Sequence, residues 1–241
     1  MKKIGGSFFF GSIFGVAVIL FFSFSKGKDP AQLISFPIHI REAYTVACDT
    51  RFKIPFWTKE HLTKQSLSKV ADRDKMDFFE DEDLFPCHRS SLQDYKGSGF
   101  DRGHIVPAAD ARFNEQALKE TFKMSNSCPQ NPKFHRGFWA RLEKHIRTIA
   151  NRYDYVDVIS GPLFLPVEEA GKKWVKFEVI GENDVAVPTH FFKFVSASKN
   201  GQLERWAYVV PNEPIAKDAL FEGFLFSIEK LERVSGIVFP R

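Results

Sequence analysis

The chain has 241 residues, of which 44% are hydrophobic and 27% charged, a composition typical of a folded globular protein. Its formal net charge is +4, but four lysines, Lys2, Lys3, Lys26 and Lys28, precede the first acidic residue, Asp29. Without residues 1–28 the chain has 30 basic and 30 acidic residues, so overall basicity gives no argument for a nucleic-acid partner.

The first segment with a clear pattern is residues 4–25, which carry no charge and are flanked by lysines. As a helix these residues would span roughly 33 Å, about the thickness of a bilayer core. Residues 23–25 also form a marginal small-x-small cleavage site for a signal peptidase. We therefore interpret residues 1–28 as a signal peptide or an N-terminal membrane anchor. The segment predicts a membrane-anchored or exported protein, not a free cytosolic one, with the membrane as a partner if it is uncleaved.

Downstream of a predicted linker at 29–40, the pattern is that of one domain over 41–241. We expect extended segments at 43–48, 55–57, 155–160, 174–180, 190–198 and 205–210. Helices are expected at 115–124, capped by Asn114, and within 223–233. The polar stretch 59–83 predicts an irregular connection.

The clearest helix is predicted over 136–153, where apolar residues recur at spacings of four, four and three: Phe138, Leu142, Ile146 and Ile149. His135, Trp139 and Glu143 form a second stripe at i, i+4 and i+8. An amphipathic helix needs only the apolar face, so the aligned histidine and glutamate indicate a site, with Trp139 as a packing support.

A second chemical signal lies at residues 99–105, Gly-Phe-Asp-Arg-Gly-His-Ile. His104 can exchange a proton near neutral pH. Arg102 is a permanent cation whose fork of donors suits a phosphate. Ile105 and Val106 are β-branched and predict a short strand that fixes His104 in a sheet.

Local charge also separates two regions. Residues 101–152 contain ten Lys or Arg and five Asp or Glu, whereas residues 72–83 contain seven acidic and two basic residues. This predicts a basic face beside the site and an acidic face elsewhere, which would steer a polyanion into one cleft. Two ordinary solvated surfaces are the alternative interpretation.

The three cysteines, Cys48, Cys87 and Cys128, lack the CxxC spacing of a structural zinc site. In an oxidising compartment Cys48 could pair with Cys87, and the plainer alternative is three buried thiols.

The motif at 101–104 is followed by Asn126-Ser127-Cys128-Pro129-Gln130 and by Trp139, Leu142 and Glu143. In this order and spacing the chain resembles the DNA/RNA non-specific endonucleases, the endonuclease G-like family of ββα-metal (His-Me finger) nucleases. The resemblance extends from about residue 43 to the C-terminus. One element departs from the family pattern, because His135 stands where the family has its metal-binding asparagine.

The resemblance implies an α+β fold, with an antiparallel β-sheet core flanked by helices and a ββα-metal finger as the active site. It implies a metal-dependent, sequence-non-specific endonuclease acting on DNA and RNA, with Mg²⁺ or Mn²⁺ as the cofactor. The implied catalytic residues are His104 as general base, Arg102 as phosphate clamp, Asn126 as an orienting residue, and Glu143. His135 would bind the metal directly and Glu143 through water. Arg51, in the turn after the first strand, is a weaker candidate for a phosphate contact.

Two other classes stay open at this point. The first is a nucleic-acid-binding homologue whose nuclease site is weakened, which only the departure at His135 supports. The second is a zinc-binding module using His104, Cys128 and His135, which lacks a fourth ligand. The sequence also leaves open whether the protein forms a homodimer.

Overall fold

The computed structural model describes residues 36–241, and the predicted signal or anchor segment, 1–28, lies outside these described residues. The strands of the described part are β1 (Ile38–Ile40), β2 (Tyr44–Asp49), β3 (Ile54–Leu62), β4 (Asp101–His104), β5 (Ser127–Gln130), β6 (Tyr155–Leu163), β7 (Val167–Glu169), β8 (Lys172–Trp174), β9 (Val179–Ile180), β10 (Val185–Ala186), β11 (His190–Lys199), β12 (Gln202–Pro211) and β13 (Leu225–Phe226). The α-helices are α1 (Leu92–Tyr95), α2 (Glu115–Thr121), α3 (Pro132–Phe134), α4 (Ala140–Ala150) and α5 (Ile228–Ser235).

A seven-stranded sheet in the order β1-β2-β3-β6-β11-β12-β13 forms the centre, and every neighbouring pair in it is antiparallel. Strand β11 lies between β6 and β12, and its successive side chains point to opposite faces of the sheet, as in any β-strand. Phe191 and Val195 contribute to one hydrophobic cluster, and Phe192 and Phe194 to another. The predicted α+β fold with an antiparallel core is therefore confirmed.

Helices cover both faces of this sheet. On the face of Phe191, the segment from α3 to α4 buries one stripe of large side chains: Phe134, Phe138, Trp139, Leu142 and Ile146. Trp139 is fully buried, so it is a core residue, as predicted. On the opposite face, Leu231 of α5 and Phe239 pack against the sheet. Burial of large apolar side chains on both faces of the sheet stabilises the domain.

Several elements begin or end where the sequence pattern alone did not place them. Strand β1 lies within the predicted linker 29–40, because residues 38–40 pair with residues 45–47 of β2. Strand β3 continues to Leu62, inside the stretch predicted to be irregular, because its residues 58–62 are alternately buried and exposed and pair with β6.

The strand that carries His104 also differs from the prediction. It is β4, residues 101–104, and it ends at His104 instead of continuing through Ile105 and Val106. The next residues leave the ladder because Asn126 takes over their pairing: its backbone oxygen accepts from the Ile105 amide at 2.9 Å and its side chain pairs with Val106.

The long helix begins earlier than predicted and changes its winding. Asn131 caps it by accepting from the amides of Lys133 and Phe134, and Pro132 is its first residue. Residues 135–139 then form a π-helical turn, which winds more slowly than an α-helix. Eight residues of pure α-helix would make about 2.2 turns. The slower turn therefore brings positions 135 and 143 closer to one face than α-helical spacing alone would.

The acidic stretch 72–83 is anchored at one buried residue, while five of its seven acidic residues are exposed, so the predicted acidic face stays a prediction. Its central residue Asp81 is fully buried, and its carboxylate accepts from Arg41 at 2.8 Å, Lys123 at 2.6 Å and the hydroxyl of Ser125 at 2.5 Å. Three donors neutralise and satisfy this carboxylate, as a buried charge requires. The stretch is consequently fixed against residues 123–125, directly before the motif that begins at Asn126.

The cysteine prediction of a Cys48–Cys87 disulfide is wrong. All three thiols are free: Cys48 and Cys128 are buried in strands, and Cys87 is exposed in a turn. The alternative of unpaired thiols therefore holds, with two of the three buried.

Gly103 provides a test of how tightly β4 and β5 pack. A Cβ at this position would lie 2.1 Å from Cδ and Oε1 of Gln130, a fully buried side chain with no room to move aside. We expect Gly103→Ala to lower the free energy of unfolding by about 1–3 kcal/mol through overpacking. Urea denaturation measures this change. Gly137→Ala is the matched control, because a Cβ there meets nothing within 4 Å and should not destabilise the helix. Equal stability of the two variants would contradict the packing argument.

Candidate active site

The predicted ββα finger is formed by β4, β5 and the helical segment that starts at Pro132. The two strands are antiparallel, with His104 opposite Ser127 and Asp101 opposite Gln130. Because alternate residues of a strand point to the same side, Arg102 and His104 share one side of β4. The finger therefore presents an exposed guanidinium and a buried imidazole next to each other.

Asn126 holds the chain in place directly after His104. Its Oδ1 accepts from the amide of Val106 at 3.0 Å, and its Nδ2 donates to the carbonyls of Val106 at 3.0 Å and Thr121 at 2.9 Å. The side chain is fully buried and bonded on both sides of its amide. It therefore fixes the backbone directly after His104.

His104 is only 5% exposed and lies between two aromatic rings. The Phe78 ring centroid is 4.7 Å away, and the Phe122 ring stands edge-on at 4.9 Å. The Nε2 atom is buried and has no hydrogen-bond partner in the described part of the chain. Burial, with the nearby charges of Arg73 and His135, lowers the pKa of His104 to about 3. The imidazole is therefore neutral at physiological pH, with a ring nitrogen free to accept a proton.

This environment predicts how stability depends on pH in the metal-free protein. Between about pH 6.5 and 3 the unfolded chain binds a proton at His104 and the folded protein does not, so the stability from neutral His104 is lost as pH falls. Relative to His104→Gln, wild type should lose about 1 kcal/mol of unfolding free energy per pH unit in this window. Urea titrations in EDTA from pH 8 to 4 measure the difference, and parallel curves would show that His104 titrates normally.

His135 begins the π-helical turn and faces a carboxylate of β4. Its Nδ1 donates to Oδ2 of Asp101 at 2.8 Å. Arg136 binds the same carboxylate through Nε at 2.8 Å and Nη2 at 2.5 Å. The second nitrogen of His135 remains for a ligand. His135 also contributes to lowering the pKa of His104, so the two imidazoles are neighbours in one site.

Glu143 lies two turns farther along the helix, beside a group of buried charges. Burial raises the pKa of Glu143 to about 7, although Lys193 opposes this shift. Asp110 is paired with Arg147 at 2.7 Å, and Glu60 is almost fully buried. Burial and Asp110 raise the pKa of Glu60 well above its usual range. In this part of the structure a carboxylate can hold or release a proton near neutral pH.

These donors fit a divalent cation that keeps most of its own water. One imidazole nitrogen of His135 is available, and the carboxylate of Glu143 makes no hydrogen bond or ion pair to another described residue. The described residues hold no group of three or more His, Cys, Asp or Glu arranged around one point. A dense, dehydrated metal cage is therefore not formed by residues 36–241, and the zinc-binding module with His104, Cys128 and His135 is unsupported.

Arg102 is exposed, and its guanidinium carbon lies 5.0 Å from the centroid of the Phe78 ring. Phe78 thus touches both Arg102 and His104, and Arg73 adds a second cation near His104 and Glu143. The sequence prediction missed Phe78 and Arg73, which lie in the acidic stretch. The sequence feature that could have indicated them is the presence of aromatic and basic residues within an otherwise acidic stretch.

Arg51 is not shown to join this group. Its side chain is exposed, pairs with Asp49 on its own turn at 3.0 Å and lies over Phe52. The weak prediction of a phosphate contact at Arg51 therefore stays a prediction.

With this geometry established, the profile of the DNA/RNA non-specific endonucleases matches residues 33–241. The chain belongs to this family. It is similar to "Endonuclease G, mitochondrial" of Homo sapiens, with 44% identity over 201 residues, which are 83% of this chain and 68% of that protein. It is 39% identical over 233 residues to "Mitochondrial nuclease" of Saccharomyces cerevisiae, covering 89% of this chain and 71% of that protein.

A solved structure supports the same assignment. The crystal structure of the EndoG/EndoGI complex contains a chain with 41% identity and a TM-score of 0.82, over 84% of each chain. This DNA/RNA non-specific endonuclease is therefore a metal-dependent nucleic-acid phosphodiester hydrolase, and the function predicted from the sequence is confirmed at that level.

The predicted location of this endonuclease is wrong. The relatives are named as mitochondrial nucleases, which contradicts a membrane-anchored or exported protein. Within residues 36–241, no helix has the length and apolarity needed to cross a bilayer. The prediction was wrong because it rested on the hydrophobicity of the uncharged residues 4–25, and hydrophobicity alone does not determine the cellular compartment of a protein.

Proposed function

We propose that His104 is the general base, taking a proton from the water that attacks the scissile phosphate. The observation that carries this proposal is a neutral imidazole that makes no hydrogen bond to another described residue, two residues from an exposed arginine on the same strand. A base must be unprotonated at working pH and within reach of the reacting water. The ring walls of Phe78 and Phe122 hold the imidazole in one orientation.

Two cations would hold the non-bridging oxygens of the phosphate. Arg102 is exposed and supported by the Phe78 ring, so its fork can bind two oxygens at once. Arg73, near both His104 and Glu143, adds positive charge where negative charge develops in the transition state. Both contacts are to backbone phosphate, so they carry no base preference, as a substrate range of DNA and RNA requires.

The metal would be held by His135 directly and by Glu143 through water. When bound, a divalent cation neutralises charge on the phosphate and on the leaving oxygen. His135 lies at the start of the helical segment and Glu143 on α4, so the finger itself places both donors. Glu143 can also accept or release a proton, because its pKa is raised to about 7.

The imidazole at position 135 predicts an altered metal preference. A neutral imidazole suits Mn²⁺ better than the hard, oxygen-preferring Mg²⁺, whereas an amide oxygen suits Mg²⁺. We expect wild type to cleave faster with Mn²⁺ than with Mg²⁺, and His135→Asn to shift the ratio of the two rates several-fold toward Mg²⁺. Initial rates at limiting metal measure the ratio. If His135→Ala cleaves as well as wild type, His135 is not a ligand, and Glu143 is the next candidate.

Nicking of supercoiled plasmid, in parallel with cleavage of a single-stranded RNA, tests the proposed function directly. Activity on both substrates that EDTA abolishes and added metal restores supports it. Tight binding of both nucleic acids without cleavage, under every metal tested, would instead support the weakened nucleic-acid-binding homologue.

A further inference from the structure

The carboxylate of Asp101 connects the two parts of the finger. Its Oδ2 accepts from Nδ1 of His135 at 2.8 Å and from Nε of Arg136 at 2.8 Å, and its Oδ1 accepts from Nη2 of Arg136 at 2.5 Å. Asp101 is 15% exposed and His135 is 26% exposed, so water competes only partly for these bonds. Asp101 lies on β4, and both of its partners lie on the π-helical turn. The carboxylate of Asp101 therefore holds β4 and the π-helical turn together.

The contact also decides which nitrogen of His135 is free. A neutral imidazole carries one proton, and a carboxylate can only accept, so the proton lies on Nδ1. The lone pair then lies on Nε2. An asparagine at this position would bind a metal through its amide oxygen, which has no tautomer to be selected. Histidine at position 135 therefore needs a partner that selects its tautomer, and asparagine does not.

We propose that Asp101 is a positioning residue that makes His135 an Nε2 metal ligand, and that Arg136 fixes the carboxylate in the required pose. The proposal rests on the proposed function, which assigns the metal to His135. Asp101 acts through His135 and not as a ligand, because its two oxygens already accept three donors. Carboxylate–histidine–metal arrangements of this kind fix the ring and increase the basicity of the nitrogen that binds the metal.

Binding of Mn²⁺ to the full-length protein, followed by the electron paramagnetic resonance signal of the free ion, tests the proposal without requiring cleavage. We expect Asp101→Ala to weaken Mn²⁺ affinity about 10–100-fold. In a His135→Asn background, the same Asp101→Ala change should weaken affinity less than about three-fold. This comparison separates orientation of the imidazole from loss of a nearby negative charge, which would act equally in both backgrounds. Thermal unfolding of each variant checks that the fold is kept.

A second measurement reads the imidazole itself. In metal-free protein at pH 8, ¹⁵N resonances of the His135 ring should report the Nδ1–H tautomer in wild type and the Nε2–H tautomer in Asp101→Ala.

Two results would overturn the proposal: an equal loss of Mn²⁺ affinity on Asp101→Ala in the wild-type and His135→Asn backgrounds, or a tautomer of His135 that Asp101→Ala leaves unchanged. If His135→Ala keeps full Mn²⁺ affinity and plasmid nicking, the ligand assignment fails and this proposal fails with it, while the nuclease function stands. If His135→Ala loses Mn²⁺ and Asp101→Ala does not, only the role of Asp101 is refuted.

Discussion

Replacement of His104 by alanine should lower the rate of plasmid cleavage by at least about 10²-fold, the lower end of the range for losing a general base. The neutral imidazole, which makes no hydrogen bond to another described residue, is the reason, because no other histidine among residues 36–241 lies beside Arg102 on β4. The rate is measured by nicking of supercoiled plasmid, once with saturating Mn²⁺ and once with saturating Mg²⁺. The loss should be similar with both metals, because the proposed mechanism assigns the metal to His135 and not to His104.

The substitution also removes a buried ring between Phe78 and Phe122, so loss of activity must be separated from loss of fold. Circular dichroism and urea denaturation at the assay temperature make this separation. His61→Ala is a matched control, because His61 is exposed on β3 and pairs with Asp157 away from the finger. A folded His104→Ala protein with near-normal cleavage would remove His104 from the mechanism.

The largest expected effect on stability is that of Lys193→Met. Lys193 is 1% exposed, donates to Ser160 Oγ at 2.9 Å and the Ile105 carbonyl at 3.3 Å, and lies 4.8 Å over the Trp139 ring. Its charge also lowers the pKa values of the neighbouring buried carboxyl groups of Glu60, Asp110 and Glu143. Methionine fills similar space but leaves these carboxylates with less internal positive charge. We expect a loss of about 3–5 kcal/mol of unfolding free energy at pH 8, as when one partner of a buried ion pair is removed.

The pH dependence of this loss identifies its cause. Burial raises the pKa values of all three carboxyl groups, so they become protonated as pH falls and no longer need the lysine. The difference between Lys193→Met and wild type should therefore be smaller at pH 5 than at pH 8, by urea denaturation. Lys144→Met, on the exposed side of α4, should change stability by less than about 0.5 kcal/mol at both pH values. A constant penalty for Lys193→Met would indicate packing as the cause.

Much of the fold was predictable because its signals are local. Apolar spacing predicted the helix that carries Glu143, and the β-rich runs predicted the central strands of the sheet. The capping asparagine at position 114 was also predictable, and its side chain accepts from the amide of Ala117 at 2.7 Å. The finger was predictable from the order of its motifs, which the resemblance placed in register.

What could not be predicted depends on residues that are distant in sequence. The aromatic walls of His104 come from two other segments, and nothing in the composition of the acidic stretch placed Phe78 against the imidazole. The π-helical turn at 135–139 has no local sequence signature comparable to a proline kink. The Asp101–His135 bond requires the strand and helix to meet, which only the assembled finger provides.

The buried carboxylate of Asp81 has a consequence for the order of folding. Its donors Arg41, Lys123 and Ser125 are separated from it by 40 to 44 residues along the chain. Closing loops of this length costs entropy before any contact is gained, so such contacts form slowly and raise contact order. The stretch that carries Phe78 and Arg73 can lie against His104 only after these loops have closed. A chain that is still emerging from the ribosome, or is held unfolded, therefore lacks the assembled site, and this nuclease is expected to become active only when folding is complete.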